Sequence, residues 1–272
     1  MDERQIKVPR RALLATLVVG AVGRRAAAQA QEDQWPALAA QIFNDRAIRD
    51  GSQILAIDAP YRAEDAAVVP VAVRNLLAEG DTRRIKSITL VIDENPSPLA
   101  AVFTLGAEGG VRSLSTRVRV ESYTNFHAVA ELSDGQLYGT VRFVKAAGGC
   151  SAPAAKEDAD AIPPGTMRFR QLSPAPGVDP ARREVQLMIR HPNYSGMQMD
   201  QVTRLYVPAR FVKAIRVWQG QDLLMSIESG ISIAQNPEYR FDYRPNGAAN
   251  FKAEIEDSDG KSYQKEWAAN AT

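Results

Sequence analysis

The feature that most constrains this chain is a two-residue alternation of apolar and polar side chains, repeated in short segments separated by turn-forming residues. IKSITLVID (Ile85–Asp93) sets Ile88, Leu90 and Ile92 on one face. TRVRVESY (Thr116–Tyr123) does the same with Val118 and Val120. NFHAVAEL (Asn125–Leu132) aligns Phe126, Ala128, Ala130 and Leu132. After the turn SDGQ, LYGTVRFVK aligns Leu137, Val141 and Phe143. Side chains of a strand alternate between faces, so each segment predicts a strand with one buried side. Many short strands with turn signals between them predict a β-sandwich.

The alternation stops between Ala146 and Gly165, where alanine, glycine, proline and charge replace apolar bulk. It then resumes. EVQLMIRH aligns Val185, Leu187 and Ile189, FVKAIRVWQG and DLLMSI flank a hairpin turn, and YRFDYR, NFKAEIED and KSYQKEW follow, with Asp257-Ser258-Asp259-Gly260 as the last turn. The expected organisation is a first sandwich over 31–145, a linker over 146–165 and a second sandwich over 166–272. The chain's 272 residues suffice for two domains of common size. WPALAAQIFNDR (Trp35–Arg46) reads as a short amphipathic helix, with Leu38, Ile42 and Phe43 on one face and Pro36 in the first turn, where its missing N–H costs little.

Residues 1–30 differ from the rest. Arg4, Lys7, Arg10 and Arg11 precede an apolar run from Ala12 to Val22, and Ala28-Gln29-Ala30 follows. That is the order of a signal peptide with a small-residue cleavage site. The run is too short for a spanning helix of about 20 residues, so no stable membrane insertion is expected after cleavage. Arg10-Arg11 suits twin-arginine export but lacks the bulky aromatic that usually follows, so the ordinary secretory route stays open. Removing this segment takes away six cations and two anions, leaving a formal charge near −3 in place of +1. No basic patch interleaved with aromatics points to nucleic acid. The expected location is the periplasm.

Export sharpens the question of the one cysteine, Cys150, because a single thiol has no internal partner. Its neighbours Gly148, Gly149, Ser151 and Ala152 offer almost no apolar surface, so an exposed thiol is expected, open to a Cys150–Cys150 disulfide dimer. Lys145 and Lys156 are too distant along the chain to activate it, which favours a presented thiol over an autonomous active site. Gly148 and Gly149 are expected to give the segment flexibility. His127 and His191 lack metal-ligand spacing, so no metal or cofactor is expected. His127, opposite Phe126, is read as exposed or partly packed, and His191 as a loop residue before Pro192. No nucleophile elbow, phosphate loop or dinucleotide fingerprint is present.

AEDAAVVPV (Ala63–Val71), IDENPSPLAAVFTL (Ile92–Leu105), VKAAGGCSAP (Val144–Pro153), MIRHPNYSGMQMD (Met188–Asp200) and the segment Tyr206–Phe241, in this order, resemble the SoxYZ sulfur carriers with both subunits fused. More closely, the chain is similar to the fused SoxYZ-like carriers associated with quinoprotein dehydrogenases. The resemblance implies two immunoglobulin-like β-sandwiches, SoxY-like then SoxZ-like, and a Gly-Gly-Cys arm on which Cys150 holds a sulfur intermediate for partner enzymes. It implies a carrier, not an enzyme, with periplasmic redox or sulfur-metabolising enzymes, or a quinoprotein dehydrogenase system, as partners. Ser151-Ala152 stands where the family has a second glycine pair, and the arm continues into the second half. The alternative is a non-covalent accessory or assembly module for an exported quinoprotein dehydrogenase.

Overall fold

A computed structural model describes residues 33–78, 80–153, 162–172, 179 and 181–269. The expected signal peptide and residues 154–161 of the expected linker lie outside the described residues.

The β-sandwich architecture predicted by the alternation forms, but the two expected sandwiches share both sheets instead of each closing on sheets of its own. The first half contains helix α1 (Trp35–Phe43) and strands β1 (Ile48–Asp50), β2 (Leu55–Asp58), β3 (Val69–Asn75), β4 (Ile85–Ile92), β5 (Leu99–Leu105), β6 (Ser113–Val118), β7 (Thr124–Leu132) and β8 (Leu137–Val144). The second contains β9 (Met167–Leu172), β10 (Arg183–Ile189), β11 (Val212–Gln219), β12 (Asp222–Ser229), β13 (Glu238–Tyr243), β14 (Asn250–Asp257) and β15 (Ser262–Ala268). The hairpin turns fall where glycine can take a positive φ, at Gly135, Gly220 and Gly260.

Both sheets run through both halves. One has the order β1-β8-β7-β4-β5-β12-β11-β14-β15 and the other β2-β3-β6-β13-β10-β9. The halves therefore join at two antiparallel seams, β5 with β12 and β6 with β13. At the first seam Phe103 lies opposite Ile227, both fully buried, and Phe103 meets the ring of Tyr239 edge to face at 6.3 Å. Each such buried side chain stabilises by about 1.5–3 kcal/mol, and an aromatic pair adds about 0.5–1.5 kcal/mol. Residues 34–272 form one compact unit.

Strand faces follow the pattern in the sequence. Phe126, Ala128, Ala130 and Leu132 are buried in the main core, as are Val185, Leu187 and Ile189. On β8, Leu137, Val141 and Phe143 do share a face, but it is the outer one. Helix α1 covers it only at Leu137, through Phe43, Trp35 and Ile42, and Val141 and Phe143 stay exposed. The same helix buries His127 instead of leaving it at the surface. Trp35 stacks on the imidazole at 3.6 Å, and His127 Nε2 lies 3.1 Å from the buried carboxylate of Asp93. Asn44, in the left-handed conformation, ends the helix.

Among the described residues, no helix is long and apolar enough to cross a membrane, and no group of three or more His, Cys, Asp or Glu side chains is placed to hold a metal.

Candidate functional site

The segment carrying Cys150 leaves β8 and folds back along the chain that follows β6. Gly148 N–H donates to the carbonyl of Glu121 at 2.8 Å, and Gly149 N–H to that of Val120 at 2.9 Å. Gly148 has φ +80°, which favours glycine. Gly149 is required for a different reason. A Cβ there would run into the carbonyl of Ala66 and stand 2.9 Å from the Val120 nitrogen. The two glycines thus make a tight turn and a backbone-to-backbone contact within the protein itself, so the expected flexibility does not describe this state.

Cys150 has no exposed surface. This corrects the expectation of a presented thiol. The small neighbours do fail to bury it, as read from the sequence, but they let the segment lie flat against residues far away in the chain. Cys150 N–H donates to Glu121 Oε2 at 2.9 Å. Its carbonyl accepts from Ser195 Oγ, a buried hydroxyl of the second half, at 2.5 Å. Burial, and then the Glu121 charge, push the thiol up to about 12; Arg119 works in the other direction. A thiol of that pKa is ionised in only about one molecule in 10⁵ at neutral pH. In this state the sulfur is covered and burial favours its protonated form.

The surroundings are a braced polar layer. Arg119, itself buried, donates to the carbonyls of Ile233 at 2.7 Å and Ile231 at 3.3 Å. Burial lowers its pKa to about 10. Asn193 Nδ2 reaches the same Ile233 carbonyl, and its Oδ1 lies 2.8 Å from His191 Nδ1. His191 lies in the loop after β10, as expected, and is fully buried there. Its Nε2 stands 3.6 Å from Asp257, and burial lowers its pKa. Cys150, Gly148 and Gly149 are therefore brought to one place, joined by Glu121, Arg119 and Ser195, whereas His127 lies in the separate contact under α1. Glu121 and Ser195 had no local signal, being 29 and 45 positions from the cysteine.

Residues 39–150 match the family model of the sulfur oxidation protein SoxY, and residues 178–268 match that of the sulphur oxidation protein SoxZ. Similar solved structures include the sulfur carrier protein SoxY from Chlorobium limicola f thiosulfatophilum, 28% identical, covering 40% of this chain and 89% of that one with a TM-score of 0.34. A superoxide reductase (neelaredoxin) from Ignicoccus hospitalis is 15% identical, covering 34% of this chain and 79% of its own with a TM-score of 0.27. No curated protein matches the chain. The first family match ends at Cys150 itself, and the second contains Ser195, which holds the cysteine carbonyl. The chain is a fused SoxYZ-like protein, a SoxY-type half and a SoxZ-type half in one polypeptide.

Proposed function

We propose that this protein is a covalent carrier: Cys150 takes up a sulfur-containing intermediate, keeps it within the fold and passes it to partner enzymes. One observation carries this reading. The chain's single thiol stands at the end of the SoxY-type match, against the SoxZ-type half, in surroundings that protect it but do not activate it. An autonomous thiol catalyst would need a depressed pKa; here the shift is upward. Loading by exchange balances without an added oxidant. The Cys150 thiol gives its proton to solvent or to the partner, and its sulfur attacks a sulfur–sulfur bond of the donor. A new sulfur–sulfur bond forms on Cys150 as the donor sulfur leaves with the electron pair of the broken bond. The thiol must first leave its closed position, where it is both covered and protonated.

The proposal includes export to the periplasm, on the signal-like order of residues 1–30, and a link to quinoprotein dehydrogenase metabolism, on the sequence resemblance. Intact-mass spectrometry of the protein purified from its own host tests the carrier function. A reductant-sensitive mass increment on Cys150, absent from Cys150→Ser, is the expected result. Only unmodified Cys150, together with normal growth of the Cys150→Ser strain, overturns it.

The complete burial of Cys150 favours a second reading, in which the joined sandwiches serve as an accessory or assembly module for an exported quinoprotein dehydrogenase and the thiol is a packing residue. Cys150→Ala then leaves dehydrogenase activity intact, whereas a carrier loses its function.

A further inference from the structure

We propose that Glu121 and Ser195 are positioning residues that form a two-sided clasp on the Cys150 peptide, one from each half, and that opening the clasp sets when the thiol is available. This rests on the carrier reading and adds the groups that control access to the sulfur.

Each side of the clasp is braced. Glu121 holds the Cys150 N–H at 2.9 Å, while its own N–H is fixed by Asn95 Oδ1 at 2.9 Å. Asn95 is buried and donates onward to the Arg119 carbonyl and Ser232 Oγ. On the other side Ser195 holds the Cys150 carbonyl, and the serine N–H is tied to Gln198 Oε1 at 3.0 Å, with Gln198 buried. The peptide that bears the thiol is thus gripped at both its donor and its acceptor by side chains whose own backbone N–H groups are tied down. Immediately beyond it Ser151 and Pro153 are exposed.

The two sides have different chemistry. Ser195 is neutral and acts only by holding. Glu121 also brings charge; it and Arg119 are the charged groups that act on the thiol.

The test is the rate of Cys150 alkylation by iodoacetamide on the full chain, measured across pH. In Ser195→Ala the rate rises roughly three- to tenfold at every pH, the change in open population expected for one lost buried hydrogen bond, and the shape of the pH profile is unchanged. In Glu121→Gln an oxygen remains to accept the Cys150 N–H but the charge is gone, so the profile shifts toward lower pH. Ser195→Thr keeps the hydroxyl and restores the slow rate. A wild-type rate in Ser195→Ala, or an unshifted profile in Glu121→Gln, overturns the clasp. Hydrogen exchange of the Cys150 amide in the unsubstituted protein gives a measurement independent of variant folding: strong protection is expected, and exchange as fast as in an open peptide refutes it. Neither measurement depends on cargo, so failure of the clasp and absence of an adduct are separate outcomes.

Discussion

The backbone of Gly149 lies directly against the carbonyl of Ala66, so that no side chain fits between the two segments. The neighbouring glycine, Gly148, has open space beside its Cα and is fixed instead by a φ of +80°. Substitution at the two positions separates these causes. Gly148→Ala costs about 1 kcal/mol, the strain of a left-handed alanine. Gly149→Ala forces the backbone apart, costs about 1–3 kcal/mol as overpacking does, and speeds alkylation of Cys150. Chemical denaturation and alkylation kinetics on the pair check both expectations.

The buried thiol makes stability fall at alkaline pH. Its folded pKa, about 12, lies above the ordinary value of 9.0. Above pH 9 the unfolded chain releases this proton while the folded chain keeps it, so unfolding gains progressively until pH reaches about 12. The melting temperature of the wild type should therefore drop more steeply between pH 9 and 12 than that of Cys150→Ser. Parallel slopes would show that the thiol does not titrate as the fold dictates.

His191 acts at the other end of the scale. Burial lowers its pKa below the ordinary 6.5, against the partial support of Asn193 and Asp257. The unfolded chain takes up a proton below pH 6.5 and the folded chain resists it, so stability attributable to this neutral imidazole is lost as pH falls below 6.5. His191→Gln removes that slope, read from unfolding midpoints between pH 4 and 7, though it lowers stability at neutral pH because the layer around Asn193 loses its partner.

Helix α1 depends on one stacked pair. Trp35 lies flat on His127 at 3.6 Å, with an interplanar angle of 1°, and touches Phe43 edge to face. Trp35→Ala is expected to cost about 2–4 kcal/mol, below the range for fully buried aromatics because Trp35 is only half-buried. Hydrogen exchange of α1 should rise well before that of β7, and equal protection in wild type and variant would refute the role given to the stack.

The strand faces were legible because the period of two is a local signal, and β4, β7 and β10 bury the faces it assigns. Where the signal is interrupted, strands went unread. β3 includes Pro70, which lacks a ladder donor, and β9 adjoins the alanine- and proline-rich linker. The face of Val141 and Phe143 was assigned correctly as a unit but not as the outer one, since that depends on where α1 ends. The thiol was located by its flanking glycines, but its burial was not legible. The residues that enclose it come from β6's continuation and from the loop after β10, and nothing near Cys150 in sequence announces Glu121 or Ser195.

The seams between β5 and β12 and between β6 and β13 have a kinetic consequence. In a two-subunit arrangement, dilution would strip the second partner away and bare the sulfur. Here the cover is stitched to the same chain through both sheets. Uncovering is accordingly a unimolecular event, with a rate indifferent to protein concentration, and the carrier is as well guarded at a few molecules per cell as in a concentrated solution.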